Sequence, residues 1–183
     1  MRTPLRTLIA VAVVALVVPS TSVTASAKTA KPVPACKLLF PEDLQPIFHE
    51  PFHKGVQQLG GACLWQKSTS ADLPPIVVSL LLHRAPSTKK ARTAFTKAAD
   101  VTQELADQIE PLTDLGDSAF RSTLIGSELV TVRVDRTIAD IRVKRDDDSG
   151  RMYPDETVGV ATIVAARLTP STKPRSKPGR EGK

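Results

Sequence analysis

Between Ser118 and Val143 the chain spells three short apolar runs joined by turn residues, and this stretch limits the fold more than any other. Val130, Val132 and Val134 alternate with Thr131 and Arg133; Ala139, Ile141 and Val143 alternate with Asp140 and Arg142. Asp135-Arg136 between them leaves room only for a tight turn, and Gly126-Ser127 marks another after Ser118–Leu124. Period-two alternation with such short links predicts an antiparallel meander with one face buried and one wet. An apolar sheet face must be covered, so the question becomes what covers it.

Helical periodicity supplies the answer. Ala91, Ala94/Phe95, Ala98, Val101, Leu105 and Ile109 recur at helical spacing behind Ser87, which predicts a long helix over Thr88–Ile109 with Ser87 as its N-cap. Its outer face is Lys-rich early and acidic late, the reverse of what the helix dipole favours. Val158, Ala161, Val164/Ala165 and Leu168 place a second helix over Asp155–Leu168. Leu38, Leu39, Leu44, Ile47 and Phe48 make a short helical stripe, with Pro41 suited to its first turn and Pro46 limiting it.

Gly60-Gly61 reads as a hairpin turn between Gly55–Leu59 and Ala62–Lys67. The continuous apolar run Ile76–Leu82 reads as a strand buried on both faces. The order is then α-β-β-β-α-β-β-β-α. This is an α+β domain in which a twisted antiparallel sheet of about six strands is packed by helices.

The ends of the chain have a different character. Arg2 and Arg6 precede the unbroken apolar run Leu8–Val18, and Ala25-Ser26-Ala27 follows. This is the pattern of a secretory signal peptide, 1–27, cut after Ala27. Eleven apolar residues are too few to span a bilayer. Cys36 stands too far from that run to accept a lipid, so free secretion is expected. Residues 28–35 read as a linker, 36–168 as one domain, and 169–183 as a disordered basic tail.

Charge follows the same division. The formal +6 includes Arg2 and Arg6 of the leader, Lys28 and Lys31 of the linker, and five Lys/Arg against Glu181 in the tail. The domain itself is left with about −2. A nucleic-acid interface needs a basic patch on the fold and aromatics for stacking. With one Trp and one Tyr and its basic charge in the ends, the chain excludes that class. The tail offers at most weak electrostatic contact with an anionic cell wall.

Cys36 and Cys63 are the only cysteines. In an exported chain they are expected to pair, closing a loop of 27 residues. Gly116 can take a positive φ between loop and strand, and Asp117 can accept backbone N–H groups there. Trp65, two residues beyond Cys63, reads as core.

Four landmarks occur in order: Cys36-Lys37-Leu38-Leu39 with Pro41-Glu42-Asp43-Leu44, Cys63-Leu64-Trp65, Leu115-Gly116-Asp117-Ser118-Ala119-Phe120, and a terminal Ala-rich helix. This arrangement resembles a family of actinobacterial secreted proteins and lipoproteins of unknown function, over roughly Cys36–Leu168. The chain departs from that pattern in lacking a lipid-attachment cysteine, in Phe40 where a Thr N-cap is usual, and in Asp114 where a Gly is usual. The resemblance implies an extracytoplasmic α+β domain with a Cys–Cys bridge and carries over no catalytic residue. The layout is also broadly similar to extracellular sensor domains of some mycobacterial kinases, which implies ligand or partner binding.

His49-Glu50-Pro51-Phe52-His53 matches the letters of a His-Glu-x-x-His zinc motif. That motif needs both imidazoles on one helix face with the Glu as general base. Pro51 inside the stretch lacks the helix N–H and pushes Glu50 out of the α region. His83 is the only other histidine. Asp146-Asp147-Asp148 lacks EF-hand spacing and reads as a solvated turn. No nucleophile elbow, phosphate loop or dinucleotide fingerprint occurs.

The expectation is a secreted, non-enzymatic module without a cofactor, binding a ligand or partner in the cell envelope. The alternative is a secreted metal-dependent hydrolase working through His49, Glu50 and His53.

Overall fold

The computed structural model describes residues 33–67, 75–106, 108–124, 126–145 and 153–170. The leader, most of the linker, the Asp146-Asp147-Asp148 stretch and the tail beyond Pro170 lie outside the described residues.

Helix α1 spans Pro41–Phe48 and shows why Phe40 can precede it. Phe40 has no side-chain acceptor, but the Asp43 carboxylate reaches back to the Phe40 N–H at 2.8 Å. This supplies the acidic half of a capping box without the hydroxyl half. Pro41 occupies the first turn, and His49 ends the helix in the left-handed region at φ 57°. Strands β1 (Val56–Gln57), β2 (Cys63–Gln66) and β3 (Ile76–Arg84) follow. Helix α2 covers Thr88–Leu105, and Ser87 accepts from the Lys90 N–H as its cap. Strands β4 (Gln108–Leu112), β5 (Ser118–Leu124), β6 (Ser127–Val134) and β7 (Thr137–Arg145) lead to helix α3, Pro154–Leu168.

The strands form one antiparallel seven-stranded sheet in the order β1-β2-β3-β7-β6-β5-β4. The α+β class and the meander β5-β6-β7 are as the alternation required. Besides β3, expected to be buried on both faces but with Leu81 40% exposed, three expectations are corrected. First, the sheet has seven strands because residues 108–112 leave α2 and form β4. Ile109 fits the helical spacing, but the chain is already extended at Ala106, and Pro111 suits an edge strand. Second, Gly60-Gly61 is not a two-residue turn: Leu59–Gly61 make a single 3-10 turn, and β1 holds only two residues. Third, β6 has no wet face, since every one of its residues is buried.

Helices on both faces explain that last point. α3 packs across β6 and β7, and α1 packs on α3. Their side of the sheet holds the main core: Trp65, Val78, Leu80, Val130, Ile141 and Val143 meet Leu39, Leu44, Val160 and Val164. α2 lies on the opposite side, where Phe95 meets Phe120 with ring centroids 5.3 Å apart. The Cys36–Cys63 disulfide ties the segment before α1 to β2. No helix among the described residues is long and apolar enough to cross a membrane.

Candidate functional site

The residues singled out by sequence fall in three places. Gly116 and Asp117 form a turn that locks onto β6. Gly116 has φ 61°, and a Cβ there would stand 2.7 Å from the Arg133 carbonyl oxygen. Asp117 Oδ2 accepts from Arg133 Nη1 at 2.8 Å and from the Asp135 N–H at 2.8 Å. One of these partners is a backbone N–H, but of Asp135 in the β6–β7 turn and not of the chain next to Asp117; the other is a buried guanidinium. Trp65 is only 1% exposed. Gly55 lies against it so closely that a Cβ would come within 2.6 Å of the indole and 2.7 Å of Cys63 Sγ. The disulfide and the indole therefore pack as one unit beneath the loop.

His49, Glu50 and His53 sit in that loop without converging. His49 is the exposed left-handed residue after α1. Glu50 forms an ion pair with Lys67. The His53 N–H donates to the Gln66 carbonyl at 2.8 Å, while Phe52 turns into the core. Pro51 is outside any helix. Among the described residues no cluster of three or more His, Cys, Asp or Glu side chains is placed to hold a metal ion. The geometry gives this stretch the role of a backbone clip between α1 and β2.

A concave groove lies on the other face. α2 covers the β5–β6 side of the sheet and leaves a groove of about 670 Å³ against β3 and β7. Its floor is two cross-strand rows, Leu81–Asp140–Thr131 and Ser79–Arg142–Leu129, each fixed by the register of β3, β7 and β6. Its wall is Ala94, Lys97, Ala98, Val101 and Thr102 of α2. Ala94 and Ala98 on this wall are too small to fill the space above the floor. The start of α2 is anchored, with Ala91 fully buried and Thr88 Oγ1 donating to Asp135 Oδ1 at 2.7 Å. Leu81 remains 40% exposed and Val101 45% exposed, as expected of a face without a permanent cover. A concave site of this size, mostly apolar with a few polar groups, is the usual form of a ligand pocket.

Asp140 is the central charge in the floor. Its Oδ1 accepts from Thr131 Oγ1 at 2.7 Å. Burial pushes its carboxyl above the usual range, and the Thr131 bond and the charges of Arg142 and His83 oppose that rise only in part. Lys97 and Arg142 make no ion pair among the described residues.

A similar Thr–acid pair lies on the α3 face. Thr123 Oγ1 donates to Glu128 Oε1 at 3.0 Å across β5 and β6, and Glu128 Oε2 is buried without a partner. Burial raises this carboxyl as well, against the Thr123 bond and the Arg121 charge. It borders a cleft of only about 150 Å³, too small for a substantial ligand. A third concavity, about 520 Å³, lies between Leu82, Val134 and the end of α3.

Sequence reading missed Asp140, Thr131, Arg142 and Lys97. Alternation alone assigned the three strand residues to a wet face. The available signal was the run of small residues in α2, Ala91, Ala94 and Ala98, which cannot fill the space against a sheet. No protein-family model, curated protein or solved structure matches this chain.

Proposed function

We propose that this chain is an exported, non-enzymatic binding module of the cell envelope, and that its binding site is the groove between α2 and the β3–β7–β6 floor. The groove is the observation that carries the reading: it is concave, mostly apolar and carries two cations, Lys97 and Arg142, that make no ion pair among the described residues. Export is supported by the Arg2–Ala27 leader pattern, by the Cys36–Cys63 bridge, and by the resemblance to secreted actinobacterial proteins. The basic tail would add weak contact with anionic wall polymers.

Native mass spectrometry of the chain recovered from the envelope of its own host, beside an Ala98→Trp variant that fills the groove, tests this reading. The account expects a chain beginning at Lys28 and carrying a non-covalent adduct that the variant lacks. A chain held in the cytosol with reduced cysteines, or one that is bare in both forms, overturns it.

A further inference from the structure

We infer that the groove takes a single-chain anionic amphiphile, its aliphatic part along α2 and its acid group between Lys97 and Arg142; this rests on the groove being the binding site. The lining first excludes other classes. It contains no aromatic side chain, so it offers no stacking surface for a nucleobase or a sugar ring. What it offers is aliphatic carbon from Leu81, Leu129, Ala98 and Val101. Covering the exposed parts of Leu81 and Val101 removes apolar area from water, which favours binding.

Charge then selects the head group. Lys97 reaches the groove from the helix wall and Arg142 from the floor, and neither has an ion-pair partner among the described residues. The one opposing carboxylate, Asp140, already accepts from Thr131. Asp140 keeps its charge in that bond and attracts Arg142, so the groove holds two cations against one carboxylate; that excess favours an anion, and the guanidinium can grip a carboxylate or phosphate with two N–H groups. Asp140 is the unfavourable part of the arrangement. An acid bound beside Arg142 lies near Asp140 too, because the two are two residues apart on one face of β7.

The inference therefore predicts substitution effects of opposite sign. The probes for calorimetric titration of the full, disulfide-intact chain are dodecanoate, dodecyltrimethylammonium, dodecyl maltoside and acetate, each below its micelle concentration. Dodecanoate is expected to bind tightest and acetate not measurably. Reversing both cations, Lys97→Glu with Arg142→Glu, is expected to weaken dodecanoate by about tenfold or more. Asp140→Asn is expected to tighten it severalfold. Thermal unfolding of each variant separates these effects from misfolding.

Equal or tighter binding of the ammonium or the maltoside overturns the anionic assignment, as does indifference to the charge reversal in a folded variant. The groove itself still stands if Ala98→Trp abolishes that binding. Failure of every amphiphile to bind removes this inference, whereas the adduct experiment above decides the groove independently of it.

Discussion

Asp117 and Arg133 are joined across sixteen residues of sequence by a 2.8 Å bond, and the Arg133 guanidinium is almost wholly buried. The same Asp117 oxygen takes the Asp135 N–H, so one carboxylate ties the entry of β5 to the β6–β7 turn. That turn also receives Thr88 of α2 through Asp135 Oδ1. The Gly-Asp turn thus braces the end of the sheet from which α2 springs, and so helps to fix the groove wall.

Asp117→Ala should therefore leave a buried guanidinium short of its charged partner. The expected cost is about 2–3 kcal/mol in a denaturant titration. Arg133 retains Ser118 Oγ at 3.1 Å, which keeps the loss below that of a fully stranded charge.

Gly116→Ala and Gly126→Ala separate backbone strain from packing. Both glycines have positive φ, 61° and 67°. A Cβ at Gly126 meets nothing within 4 Å, whereas one at Gly116 meets the Arg133 carbonyl and Val132 at 2.7 Å. Gly126→Ala should cost about 1 kcal/mol and Gly116→Ala at least about 2 kcal/mol more, measured by thermal unfolding.

Removing the disulfide by Cys36→Ser with Cys63→Ser should cost about 3.5 kcal/mol, the chain-entropy value for its loop. A loss near zero would mean that the clip between α1 and β2 survives on Trp65 and the Phe52–Lys67 bridge alone.

Asp140→Asn should raise stability at pH 7, on the order of 1 kcal/mol. The fold raises the Asp140 pKa above its usual 3.8, so the unfolded chain loses this proton first as pH rises. The resulting penalty is absent below that value and complete above the raised one, so the variant's advantage should fade on acidification through that window. Asp43 behaves oppositely. The hydrogen bonds and charge of Arg167, with the Phe40 N–H bond, outweigh burial and hold its carboxyl below the usual 3.8. The Asp43–Arg167 contribution is present above 3.8 and should be lost as pH falls below it. Arg167→Ala should cost about 1–2 kcal/mol at pH 7 and progressively less in acid.

The strands 118–143 were legible because alternation and short turns leave few other structures for such residues. β4 was not: Ile109 continues the helical period of Leu105, and the countervailing signals, Pro111 and the polar residues about it, are weak singly. The buried second face of β6 was not legible either, since alternation shows that two faces differ and not what covers the more polar one. The groove is a tertiary gap between α2 and β3, and no local pattern encodes a gap. The non-helical histidine loop is legible, because Pro51 constrains its own backbone whatever surrounds it.

The most direct test of the account is amide chemical-shift mapping of the folded chain as dodecanoate is added. The account predicts shifts concentrated at Ser79, Leu81, Thr131, Asp140 and Arg142 and along Ala94–Thr102, with Val160, Val164 and Leu168 of α3 unmoved. Shifts centred instead on Leu82, Val134 and Leu168, at the concavity by the end of α3, or no localised shifts at all, would contradict it.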